Sequence, residues 1–205
     1  MEACVVSLQQ ALRAQQSGAD RIEICSRLET SGMTPDYDLV RDLCEQLIIP
    51  IRVMIRSTEE GFEADESDLQ EMLESIDQFK TLPIDGFVIG VMNNNAIDRE
   101  AMRQVIRHAS PLPVTFHKAL DESIQVMDDV RWLNEFKEID TILTSGGAIH
   151  ANDGAEKILE MKSIFRGTIM AGGKILPDQI RALHELLGLH WYHGRGIVGD
   201  LEKEN

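Results

Sequence analysis

Arg21, Glu23 and Cys25 alternate with Ile22 and Ile24. In a strand, successive side chains point to opposite faces, so the charged and thiol residues share one face and the isoleucines the other. The apolar pair suits packing beneath helices, which turns Arg21, Glu23 and Cys25 toward an interior. Buried charge must be paired or hydrogen-bonded, so this ladder marks either a site or an ion-pair network. The same parity groups Glu2 with Cys4, Arg52 with Met54 and Arg56, Thr115 with His117, and Trp191 with His193. These stretches supply carboxylates and a histidine for proton transfer, arginines for anions and thiols for soft metals. Pairing of Arg21 and Arg52 with Glu2 and Glu23 would explain the charges without any chemistry. His117 stands apart, because it ends its segment and is followed by Lys118 and Asp121. A lone buried histidine is commonly structural; one at a strand end beside Lys and Asp is an acid/base candidate.

The elements that must position these residues alternate regularly. Apolar segments at 3–6, 21–25, 51–56, 86–92, 112–117, 141–144, 168–171 and 191–193 read as strands. Between them, 8–17, 38–47, 65–80, 98–109, 126–136, 155–165 and 177–187 read as helices. Gly18 stops the first helix, Pro35 precedes the second, and Asp98 is a plausible N-cap for the fourth. The third carries Leu69, Met72, Leu73, Ile76 and Phe79 at helical spacing. This alternation predicts an α/β fold with a parallel sheet, and eight units predict a TIM-type (β/α)8 barrel. A single domain is expected over residues 1–205. That length is short for a barrel, so the expected form is compact or incomplete. The last helix is short or missing, since only a polar tail follows Gly194.

In such barrels function sits at the C-terminal ends of the strands. The expected catalytic set is therefore Glu2, Glu23, Arg56, His117, Lys118 and Asp121. Glycine pairs follow the sixth and seventh strands, as Ser145-Gly146-Gly147 and Gly172-Gly173-Lys174, and Gly194-Arg195-Gly196 follows the eighth. Backbone N–H groups in these loops often bind phosphate, and Lys174 and Arg195 would add positive charge. Glycines there would equally serve tight turns.

Hydrophobic residues make up 43% and charged residues 27%, a globular composition. No apolar run reaches the ~18 residues of a membrane span, and Glu2 stands where a signal peptide would be basic. A cytoplasmic location is expected. The net charge of −15 disfavours nucleic acid and anionic membrane as partners. It leaves a metal ion or a small anionic molecule. The three cysteines are too few for a disulfide framework. Cys4 and Cys25 fall on neighbouring strands, which lie about 4.8 Å apart. Together they could hold Cu(I), with Met54 adjoining, or they could be small core thiols. Zinc would want four ligands, and neither CxxC nor HExxH occurs. Cys44 reads as helix core.

Several segments together resemble the CutC family of copper homeostasis proteins: Glu2–Cys4, GADRIEIC at 18–25, SGMTPD at 31–36, IR at 55–56, TFHKALD at 115–121, LTSGG at 143–147 and IMAGG at 169–173. The resemblance implies a TIM-like barrel in a cytoplasmic homo-oligomer, a dimer or tetramer. It implies Cu(I) on paired cysteines matching Cys4 and Cys25, and no organic cofactor. The family's run IRPR reads IRST here, and its GGLTPS reads SGMTPD.

Two functions stay open. One is copper homeostasis through Cys4 and Cys25. The other is a lyase, isomerase or aldolase acting on a small phosphorylated or carboxylated metabolite. There His117 would be the acid/base, Glu23 a second acid/base or orienting group, and Arg56 and Lys118 the anion grips. A scaffold that oligomerises through its helices has no positive signal.

Overall fold

The computed structural model describes residues 1–202. Its strands are β1 (Glu2–Val5), β2 (Arg21–Ile24), β3 (Ile51–Met54), β4 (Gly86–Ile89), β5 (Met92–Asn93), β6 (Ala96–Ile97), β7 (Val114–Phe116), β8 (Ile139–Thr144), β9 (Thr168–Ala171) and β10 (Trp191–Gly194). Its helices are α1 (Leu8–Gln16), α2 (Tyr37–Gln46), α3 (Glu66–Phe79), α4 (Arg99–Ala109), α5 (Val126–Leu133), α6 (Ala155–Ile164) and α7 (Ile180–Leu187). Eight strands close in the order β1-β10-β9-β8-β7-β4-β3-β2, and every pairing in the ring is parallel. This is the TIM-type barrel the alternation predicts. Among the described residues no helix follows β10, as the short tail suggests, and none is long and apolar enough to cross a membrane.

Ile22, Ile24, Val53, Phe87, Ile89, Val114, Phe116 and Ile142 are buried in the main apolar core. The inner face carries a separate small cluster, Cys4, Cys25, Met54 and Val88. The hydrophobic effect therefore closes the outer layer, while the interior is left to polar and sulfur-bearing groups.

Several boundaries differ from expectation, and four of them have a clear local reason. The third strand stops at Met54 because the Arg56 N–H turns to Thr34 Oγ1 at 2.9 Å, and the Thr34 N–H to the Arg56 carbonyl at 3.1 Å. The fourth stops at Ile89, and the chain then forms the β5–β6 hairpin. Its tip, Asn94 and Asn95, sits at φ of 51° and 55°, a left-handed turn that asparagine tolerates. Helix α5 ends at Leu133 because Glu135 and Phe136 donate to Trp132 and Leu133, tightening the chain into turns. Helix α7 starts at Ile180, after a 3₁₀ turn at Pro177–Gln179.

Helix α3 begins with a reciprocal cap. The Asp68 N–H donates to the Asp65 carboxylate at 2.9 Å, and the Asp65 N–H to the Asp68 carboxylate at 3.1 Å. Replacing Asp65 with Ala removes one side of that exchange. It is expected to lower unfolding free energy by about 1 kcal/mol, read as a shift in the urea midpoint with an unchanged slope.

Candidate functional site

The register sets the depth of each inward side chain. Glu2 pairs with Arg21 and with His193. Cys4 pairs with Glu23, and Glu23 with Arg52. The expected residues therefore occupy successive levels along the barrel axis, with Glu2 on the first residue of its strand.

At the N-terminal end, Arg52 donates to both Asp140 oxygens, at 2.7 and 2.5 Å, and to Thr115 Oγ1 at 2.5 Å. Asp85 lies 3.4 Å away. Thus Arg52 neutralises Asp140 and Asp85 rather than Glu23.

Beside it, Arg21 Nε donates to Glu2 Oε2 at 2.5 Å, and its guanidinium lies 4.4 Å from the Trp191 ring centre. His193 Nδ1 is 2.9 Å from Glu2 Oε1 and 3.7 Å from Glu23 Oε2. Burial alone would raise the Glu2 carboxyl. The hydrogen bond from His193 and the charges of Arg21, His193 and Arg52 outweigh it and hold Glu2 at about 2. Burial pushes Glu23 up, with the Glu2 charge adding to it, against the pull of His193. Burial would lower His193, but Glu23 and Glu2 raise it. Glu2 is thus a fixed anion. Glu23 is the carboxyl held closer to neutrality, and its Oε2 is buried without a hydrogen-bond partner. Sequence reasoning placed His193 on the inward face of the last strand but gave it no role; only the closure of β10 onto β1 shows its partners.

Above this level, the Cys4 and Cys25 sulfurs lie 3.6 Å apart as free buried thiols. Cys25 also points at the Val5 carbonyl, 3.7 Å away. Glu23 reaches the pair, and one donor atom from each of Cys4, Glu23 and Cys25 falls within a 4.8 Å cluster. The hydrogen bond to Cys25, burial and the Glu23 charge push the Cys4 thiol well up.

At the C-terminal mouth stand Arg56 and His117. Arg56 Nη1 donates to the Thr30 and Gly32 carbonyls at 2.6 and 3.0 Å. Its Nη2 donates to those of Glu59 and Gly61 at 3.2 and 2.9 Å. His117 Nδ1 accepts from the Ala119 N–H at 3.2 Å. Burial, reinforced by the Arg56 charge, lowers His117 to about 3. The ring is therefore held neutral over the whole physiological range. Gly90 makes room for it, since a Cβ there would lie 2.7 Å from the imidazole.

Asp121 is committed elsewhere. Its carboxylate accepts from the Ser145 N–H at 2.9 Å, the Ser145 hydroxyl at 2.9 Å, the Gly147 N–H at 3.1 Å and the Thr144 hydroxyl. Lys118 reaches Ser145 Oγ at 2.8 Å. Two of the N–H groups considered for a bound anion, those of Ser145 and Gly147, thus hold the chain's own carboxylate, and that of Gly146 donates to Thr144 Oγ1. Gly146 has φ +70° and touches the Gly154 backbone, where a Cβ would clash at 2.2 Å. Gly172 donates to the Thr144 carbonyl at 2.8 Å, and Gly173 packs on Ser145 and Ile149. Of the catalytic set, the structure brings Glu2 to Glu23, Arg56 to His117, and Lys118 to Asp121. It does not bring all six together.

A cavity of about 550 Å³ opens beside β1, lined by Cys4, Gln10, Leu176, Arg195, Leu201 and Glu202 among others. It connects the thiol level with the outside.

The family model described as "CutC family" matches residues 1–198. The chain belongs to the CutC family. Its relatives include a copper homeostasis protein CutC homologue of Caenorhabditis elegans, 33% identical over 205 residues, covering 97% of this chain and 80% of that protein. A CutC family protein of Xanthomonas axonopodis pv. citri is 32% identical over 206 residues, covering 97% of this chain and 84% of that one. The crystal structure of a CutC protein from Streptococcus agalactiae superposes with a TM-score of 0.87 at 26% identity, covering 96% of this chain and 98% of that chain. This member thus shares the CutC barrel over nearly its whole described length.

Proposed function

We propose that this CutC protein serves copper homeostasis by binding Cu(I) through Cys4 and Cys25. The observation that carries the reading is the pair of free buried thiols 3.6 Å apart, with Met54 in the same cluster. Thiolate and thioether sulfur are the donors that favour Cu(I) over harder ions, so the residues present fit the cargo. The names of the relatives point the same way. Cys4 must lose its proton to become a ligand, and its thiol sits well above the ordinary value. Copper affinity is therefore expected to rise with pH.

The test is titration of the reduced protein with Cu(I) against a coloured Cu(I) chelator, with X-ray absorption on the loaded sample. A single equivalent retained, with sulfur as the nearest neighbours, is expected. Quantitative loss of copper to the chelator, or a shell of nitrogen and oxygen only, overturns the reading.

A second reading, an enzyme acting on a small anionic metabolite, is favoured by one observation. Arg56 and His117 each keep a buried N–H without a partner. Glu2 is already paired with Arg21, and Lys118 and Asp121 with the Ser145 loop; Glu23 keeps one orphaned oxygen, an acceptor rather than a donor for an anion.

A further inference from the structure

We propose that Arg56 and His117 form a binding site for a small monocarboxylate at the C-terminal mouth of the barrel, with Phe62 as its cover. The site lies outside the copper reading and uses no thiol.

The argument begins with hydrogen-bond valence. Arginine has five N–H donors. Four atom-to-carbonyl bonds, to Thr30, Gly32, Glu59 and Gly61, occupy the two terminal nitrogens of Arg56. The remaining donor, Nε–H, is buried and has no partner. His117 Nδ1 accepts from the Ala119 N–H, so the neutral ring carries its proton on Nε2. That second donor is also buried and unpartnered. Leaving buried donors without partners costs stability. Two of them packed against one aromatic ring need an explanation that a purely structural role does not supply.

Phe62 links them. Its ring centre is 4.8 Å from the Arg56 guanidinium carbon and 5.0 Å from the His117 ring centre. The Phe62 backbone is fixed, because its carbonyl accepts from the Met92 N–H at 2.8 Å. The side chain is only half-buried. Rotation about its side-chain bonds therefore uncovers both donors while the loop stays in place.

The donor set selects the ligand. It offers one positive charge, one neutral donor and no free acceptor. A carboxylate matches it with one charge and two oxygens. A phosphate dianion brings a second negative charge toward Glu122, whose charge already acts on Arg56, and toward Glu59, which is paired with Arg27. The apolar ring of Phe62, 5.0 Å from the imidazole centre, suits the ligand's hydrocarbon part.

The experiment uses full-length reduced protein carrying ¹⁵N-histidine, titrated with acetate and separately with inorganic phosphate at constant ionic strength. Acetate is expected to move the His117 Nε2 resonance saturably, with phosphate at least about tenfold weaker. By calorimetry, His117→Phe, which keeps a ring but loses the donor, should weaken acetate roughly tenfold or more, the size of a hydrogen bond to a charged group. Phe62→Ala should tighten it. Should acetate leave His117 unmoved in both wild type and Phe62→Ala, the proposal is overturned. Phosphate binding as tightly as acetate overturns it too. Acetate binding is expected to persist in the Cys4→Ser, Cys25→Ser protein, which separates failure of this site from failure of the copper reading.

Discussion

Cys4→Ser and Cys25→Ser are each expected to weaken Cu(I) binding by more than about 100-fold. Removing a group that merely orients a metal ligand costs 10–100-fold, and these changes replace a ligand itself with a harder oxygen. The two variants should differ in their effect on folding. Cys25 is fully buried, with its sulfur 3.7 Å from the Val5 carbonyl, so a shorter serine hydroxyl has a poor acceptor. Cys4 sits at the edge of the open cavity, where a hydroxyl meets water more easily. Chelator competition, with circular dichroism to verify the fold, reads both effects. Cys44→Ser is the control. That residue lies half-buried on α2 and outside the sulfur cluster. If it lowers affinity as much as the other two, the ligand assignment is wrong.

The second large effect is acid lability centred on His117. Its ordinary value of 6.5 falls to about 3 in the folded chain. The unfolded chain takes up a proton near pH 6.5, while the folded chain resists until about pH 3. Stability is therefore complete above pH 6.5 and declines as pH falls toward 3. At about 1.4 kcal/mol per pH unit, roughly 3 kcal/mol is gone by pH 4.5. Below 4.5 Glu2 adds to the loss with the same sign, since its carboxyl is held at about 2 and its contribution disappears as pH drops through that range. Glu23 and His193 work the other way. The burial cost of ionised Glu23 is relieved by acid. His193, raised in the fold, contributes fully below its unfolded value and loses that contribution only as pH rises through the folded one. Urea unfolding at neutral pH and at pH 4.5 should show the decline in wild type and a much smaller one in His117→Phe. Equal declines in the two proteins would contradict the assignment.

The inward ladder of Arg21, Glu23 and Cys25 was legible in the sequence because strand alternation is local and needs no knowledge of neighbours. The same holds for the order of strands and helices, and for the cap at Asp98. Depth along the barrel was not legible. Whether Glu2 meets Glu23 or Arg56 depends on cross-strand register, which a period of two leaves open. Arg52 illustrates the point: its partners, Asp85 and Asp140, stand 33 and 88 residues away in sequence. Asp121 shows another limit. Its proximity to His117 suggested proton transfer, yet its oxygens are filled by the backbone and hydroxyls of the Ser145 loop. Phe62 carried no signal, because its importance comes from lying over Arg56 and His117 at once.

Among the described residues no helix follows β10, and this has a consequence for timing. Where such a helix would cover the seam between β10 and β1, the chain lays an irregular segment anchored by the buried Ile197 and Leu201 and by hydrogen bonds from α1. Arg13 donates to the Leu201 carbonyl at 2.9 Å and Gln10 to Glu202 at 2.9 Å. An irregular segment with no strand ladder of its own opens at smaller free energy than the barrel itself. On the copper reading, the sulfur pair sets how long an ion stays. The anchors of that segment set how quickly one enters. Residence and loading can then be altered independently, by substitutions at opposite ends of the chain.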